Sequence, residues 1–141
     1  MKHTIRITVF SLLALAFAQS RAGDIVIQNA WIPEAPPTAK VLACYLTIEN
    51  HSKAAVMLES AASDDFGAIE IHASEMHDGM MHMRKEHHLH IGADSSLKLE
   101  PGGYHLMLMD KKRTLKAGDH VDIELRFSND ESMRVKAEIR N

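Results

Sequence analysis

Between His72 and Met107 the chain reads H-A-S-E-M-H-D-G-M-M-H-M-R-K-E-H-H-L-H-I-G-A-D-S-S-L-K-L-E-P-G-G-Y-H-L-M. Seven of its ten histidines and five of its nine methionines fall there, a density that packing does not require. Imidazole nitrogen suits copper and zinc alike, whereas thioether sulfur is soft and selects monovalent copper or its congeners. Neither side chain is an acid, so the cluster offers a metal neutral donors. These residue types point to a Cu(I) site.

Strand periodicity sorts the donors. Residues two apart share a face, about 6.5–7 Å apart at Cα. In Y-H-L-M-L-M, Tyr104, Leu106 and Leu108 take the core face, and His105, Met107 and Met109 take the face turned away from it. In I-E-I-H, Ile69 and Ile71 point inward and His72 points out beside Glu70, which is read as solvated. In M-M-H-M, Met80 and His82 share one face and Met81 and Met83 the other, and periodicity leaves open which is which. Any one of these residues alone is better read as core filler or a solvated surface group. Their conjunction is what asks for a ligand.

The elements that must position them are short alternating segments broken by turn residues, the pattern of an all-β sandwich or barrel. Strands are expected over 24–31, 41–49, 55–60, 68–72, 80–84, 89–91, 96–99, 104–109, 121–127 and 133–139. Asn50-His51-Ser52, Asp78-Gly79, Pro101-Gly102-Gly103 and Ala117-Gly118-Asp119 are read as turns. The expected architecture is an antiparallel Greek-key sandwich without a sustained helical period.

Residues 1–22 read as a signal peptide. Lys2, His3 and Arg6 precede the apolar run Ile7–Ala18, and small residues follow at Ala16, Ala18, Ser20 and Ala22. Cleavage after Ala22 leaves residues 23–141 as one domain and moves the formal charge from −3 to −6, since only Lys2, Arg6 and Arg21 are lost. An acidic domain without a basic patch excludes nucleic acid as partner. The single cysteine, Cys44, cannot form an intrachain disulfide, and its apolar setting V-L-A-C-Y-L-T-I reads as a small buried hydrophobe. In an oxidising compartment, thioethers and imidazoles remain available where paired thiols would become disulfides.

The spacing His72, ten residues, Met83, twenty-one residues, His105, one residue, Met107 resembles the H-(x10)-M-(x21)-H-x-M motif of the PCuAC family of periplasmic copper chaperones. N-A-W-I, P-P-T-A-K-V-L-A-C-Y-L-T-I-E-N, I-E-I-H, D-G-M-M-H-M-R, P-G-G-Y-H-L-M-L-M and K-R-T-L-K-A-G-D look like family blocks in order. The resemblance implies a cupredoxin-like β-barrel holding one Cu(I) near its surface through His72, Met83, His105 and Met107. It implies a monomeric periplasmic carrier, not an enzyme, that delivers copper to the CuA site of cytochrome c oxidase subunit II, in places with a Sco-type partner.

Pro33 stands where the family commonly has arginine, and Cys44 at a usually small position. Some relatives carry a His/Met-rich C-terminal tail with a second copper site. Here His77, His82, His87, His88 and His90 have two readings, a weaker Cu(II) site in place of that tail or a polar solvated hairpin. Two other functions share parts of this chemistry. A copper-storage or resistance protein would use the same donors for a different recipient. A blue-copper electron carrier would need a cysteine beside the His105–Met107 strand, where none stands. No H-E-x-x-H or G-x-S-x-G motif supports an enzyme.

Overall fold

A computed structural model of the chain describes residues 23–141. The leader read over residues 1–22 lies outside the described residues. Ten strands are present among the described residues and no helix: β1 (Ile25–Pro33), β2 (Val41–Asn50), β3 (Val56–Ala62), β4 (Ala68–His77), β5 (Met80–Glu86), β6 (Leu89–Ile91), β7 (Ser95–Leu99), β8 (Tyr104–Met109), β9 (His120–Phe127) and β10 (Ser132–Arg140).

The alternation that marks these segments is the alternation of burial. Leu42, Cys44, Leu46 and Ile48 of β2 are buried, as are Leu106 and Leu108 of β8 and Val121, Ile123, Leu125 and Phe127 of β9. They form one core with Ile25, Ile32, Leu58, Ile71, Leu99 and Ile139. Fully burying one such side chain contributes about 1.5–3 kcal/mol, so register is strongly specified wherever a face is apolar.

The strands run in the order β5-β4-β8-β2-β1-β10-β9-β3-β6, with β7 also paired to β2. Strand β2 belongs to two sheets. Its first half, Val41 to Cys44, pairs with β8, and its second half, Leu46 to Asn50, pairs with β7. One sheet is therefore β5-β4-β8-β2, and the other continues from β2 through β1, β10, β9, β3 and β6.

Two details of the pairing depart from the sequence reading. The fold is not wholly antiparallel, because Trp31, Ile32 and Pro33 of β1 pair in parallel with Glu138, Ile139 and Arg140 of β10. And β4 does not stop at His72. It runs to His77 and pairs with the whole of β5, from Ile71 opposite Glu86 to His77 opposite Met80. Asp78 and Gly79 close this hairpin at φ of 49° and 76°, the left-handed pair that a two-residue hairpin loop demands.

Asn50, read as a turn residue, ends β2 instead and is buried. Its side-chain amide donates to the carbonyls of Ala54 and Gly92, and its oxygen accepts from the Ser52 backbone N–H and hydroxyl. That pays the desolvation cost of a buried polar group in full.

Candidate metal centre

The donors meet on one face of the β5-β4-β8 sheet. Antiparallel pairing sets His72 opposite His105 and Glu70 opposite Met107. On the other edge of β4, Ser74 stands opposite Met83 and Met76 opposite Met81. Partners in a ladder share a face, as do residues two apart along a strand. Glu70, His72, Ser74 and Met76 therefore lie on the same face as His105 and Met107 of β8 and Met81, Met83 and Lys85 of β5. This answers the question that periodicity left open: Met81 and Met83, not Met80 and His82, share the face of His72.

The two imidazoles form the centre of the group, with ring centroids 5.8 Å apart. Met83 and Met107 flank them as diagonal neighbours on opposite sides, a separation of about 7–8 Å at Cα that long side chains span. His105 faces away from Leu106 and Leu108, as expected, yet it is only 4% exposed. The Tyr45 ring stands edge-on to it at 6.4 Å, and Tyr45 in turn packs against Trp31 at 5.1 Å. Tyr104, assigned to the core face, is exposed at the start of its strand.

Hydrogen bonds fix which nitrogen of each ring is free. His72 Nε2–H donates to Glu70 Oε2 at 2.9 Å, and Lys85 Nζ donates to Glu70 Oε1 at 2.6 Å. Glu70 is thus engaged rather than merely solvated. The hydrogen bonds from His72 and Lys85 hold its carboxyl below the usual carboxylate range, so it stays an acceptor. His72 Nδ1 is then left buried and without a hydrogen-bond partner. At His105, Nδ1–H donates to the Gly103 carbonyl at 3.3 Å and leaves Nε2 as the lone-pair nitrogen. A second group that fixes the tautomer and aims the free nitrogen is what metal-ligating histidines ordinarily have. The orphaned, buried Nδ1 fits a soft cation held by neutral donors. The sequence signal for this role of Glu70 is its place two residues before His72, on the same strand face.

Cys44 is fully buried, and burial pushes its thiol up to about 12. It faces the core with Leu42 and Leu46, away from these donors. The five-histidine Cu(II) site is not assembled. His77 and His82 approach to 6.3 Å between ring centroids, on the hairpin face opposite the donors above. His90 stands on β6 opposite Met57. Among the described residues no three His, Cys, Asp or Glu side chains gather closely enough to hold a metal. His87 and His88 lie in the connection after β5 and His90 on β6, which pairs with β3 rather than with the hairpin, so proximity in sequence did not become a cluster in space.

A small β-sandwich with two imidazoles and two thioethers on one sheet face defines a class of soft-donor domain. The chain belongs to the LpqE-like family, whose model matches residues 25–139. It is similar to an uncharacterized protein of Rickettsia prowazekii, 31% identical over 135 residues that cover 88% of this chain and 75% of that one. Among solved structures it is similar to DR1885 of Deinococcus radiodurans. The apo form shares 29% identity at a TM-score of 0.65 and covers 100% of this chain and 97% of that one. The Cu(I) form shares 29% at 0.64, covering 87% and 83%. The copper-bound PCuAC domain of PmoF2 superposes at a TM-score of 0.72, covering 84% of this chain and 93% of that one; at 19% identity it shows the fold alone. The PCuAC resemblance read from the sequence holds for the fold.

Proposed function

We propose that this chain is an exported copper carrier that holds one Cu(I) with His72, Met83, His105 and Met107 and releases it by ligand exchange. The observation that carries this reading is the buried, unpartnered Nδ1 of His72, on a ring 5.8 Å from a second imidazole and flanked by two thioethers on one sheet face. The Cu(I) form of DR1885 supports the choice of metal. Export is supported by the leader-like residues 1–22 and by a relative in Leifsonia xyli subsp. xyli provisionally named a lipoprotein, 26% identical over 122 residues covering 86% of this chain and 72% of that one.

The arrangement suits transfer better than storage. Three donors are set into the sheet, while Met83 is 65% exposed on the outermost strand. A recipient's thiolate, a better soft donor, can displace this one thioether first and the imidazoles after it. The buried Cys44 offers no thiolate for a blue-copper centre, which disfavours electron transfer. For the recipient we extend the reading to the CuA site of an oxidase subunit II, with or without a Sco-type partner. The motif resemblance is its support.

The test is an anaerobic Cu(I) titration of the purified protein against a chromophoric chelator, beside Met83→Leu/Met107→Leu. One tight equivalent lost in the variant is the expected result. Binding that survives both substitutions would remove the thioethers from the site and the proposal with them. Incubating the loaded protein with an oxidase subunit II domain then tests the recipient: stoichiometric transfer supports it, and retained copper favours storage.

A further inference from the structure

Beyond the four donors, the hairpin arm carries more sulfur than its packing uses. Met76, Met81 and Met83 are 63%, 51% and 65% exposed, although methionine is among the residues most often buried. All three lie on the face of the His72–His105 pair. Met76 and Met81 are direct ladder partners, and Met83 follows Met81 by two residues. His77 and Met80 flank the two-residue loop and form its hydrogen-bonded pair. Met76 and Met81 are then a non-hydrogen-bonded pair, with Cα atoms about 4.5 Å apart and side chains close.

We infer that Met76, Met81 and Met83 form a transient Cu(I) site through which the ion enters and leaves the His72–His105 centre. The inference rests on the carrier reading above. Three thioethers with no nitrogen or carboxylate among them are too soft a set for zinc or Cu(II) and accept Cu(I) or Ag(I). The set has no imidazole, so it binds more weakly than the inner donors, and Met83 is common to both. An ion captured at the tip by Met76 and Met81 is passed inward by exchanging these two sulfurs for two imidazoles and Met107, while Met83 never lets go. No bond other than metal–ligand bonds is made or broken, and no electron moves. Release runs the same path outward. Met80, with His77 and His82, stands on the opposite face of the same arm and takes no part.

The test uses protein carrying 13C-labelled methionine ε-methyl groups and Ag(I) as the redox-inert stand-in for Cu(I). In His72→Gln/His105→Gln, the first equivalent of Ag(I) should move the Met76, Met81 and Met83 methyl signals and leave Met80 unmoved. Static Met76 and Met81 signals, or a Met80 shift of equal size, overturns the inference. In the otherwise native chain, Met76→Leu/Met81→Leu should keep the one-equivalent affinity. Its rate of copper transfer to a chelator should fall by roughly tenfold, or about 1.4 kcal/mol at the rate-limiting step. An unchanged rate refutes the relay even if the first variant fails to fold. Failure of the carrier reading has a different signature: the native Met107 methyl would stay still while those of Met76 and Met81 respond.

Discussion

His72 is held by one ring nitrogen and idle at the other. Glu70 accepts from Nε2–H and is itself tethered by Lys85, so a carboxylate with no place among the donors decides where Nδ1 points. Outer partners of this kind typically govern 10–100-fold in metal affinity. Glu70→Ala should therefore weaken Cu(I) binding by roughly tenfold or more. Glu70→Gln, whose amide oxygen can still accept, should lose less. Both should melt near the native temperature, because the Glu70–Lys85 pair is exposed and water screens it. Chelator competition and a thermal melt check this; native affinity in Glu70→Ala would reduce Glu70 to a surface partner of Lys85. Cys44 sets the opposite case. Its thiol, raised by burial to about 12, supplies almost no thiolate at neutral pH. A thiol reagent should leave the native protein unlabelled and modify one cysteine only after denaturation, and rapid native labelling would mean that β2 opens.

The two strands that bring sulfur to the site are differently anchored. β8 lies between β4 and β2, and beneath Met107 its Leu106 and Leu108 are fully buried. β5 is the outermost strand, and apart from Glu86 every one of its residues is exposed. Truncating Leu106→Ala should cost about 2–5 kcal/mol and destabilise the whole domain. Gly79→Val, which forces a β-branched residue to a φ of 76°, should instead loosen the arm. Native-state hydrogen exchange separates the two: β5 amides in the Gly79 variant should exchange faster while β8 protection stays at its native level. Equal loss in both strands would show that the arm and the core unfold together. The same contrast explains what the sequence disclosed. β8 was legible to the residue because an apolar face alternates with a donor face. The far half of β4, S-E-M-H, has no buried face and so no period to read. Asp78-Gly79 nevertheless held the missing information. A two-residue loop pairs His77 with Met80, and counting back from it puts Met83 on the face of His72 before any coordinates are known.

At the scale of the molecule, what stayed out of reach was long-range pairing. The alternation of β1 and β10 identifies both as strands, but nothing in either announces a parallel pair between segments more than 100 residues apart. Nor does β2 announce that its halves serve different sheets. The site depends on this topology, since its four donors stand on β4, β5 and β8 and only the ladder of one sheet brings them together. An unfolded chain does not preassemble them. A cation that binds the native set more tightly than the unfolded chain must therefore stabilise the fold by mass action, by about 4 kcal/mol when free ligand is 1,000 times Kd. For a domain of this size that is a rise in Tm on the order of 10–15 °C. Ag(I) or Cu(I) loading should produce it in differential scanning calorimetry, and Met83→Leu/Met107→Leu should abolish it. A rise that persists in the variant would put the ion elsewhere on the native surface. No rise in the native protein, despite one bound equivalent, would mean that the methionines and histidines bind it as well without the fold, and that the sheet does not select the metal.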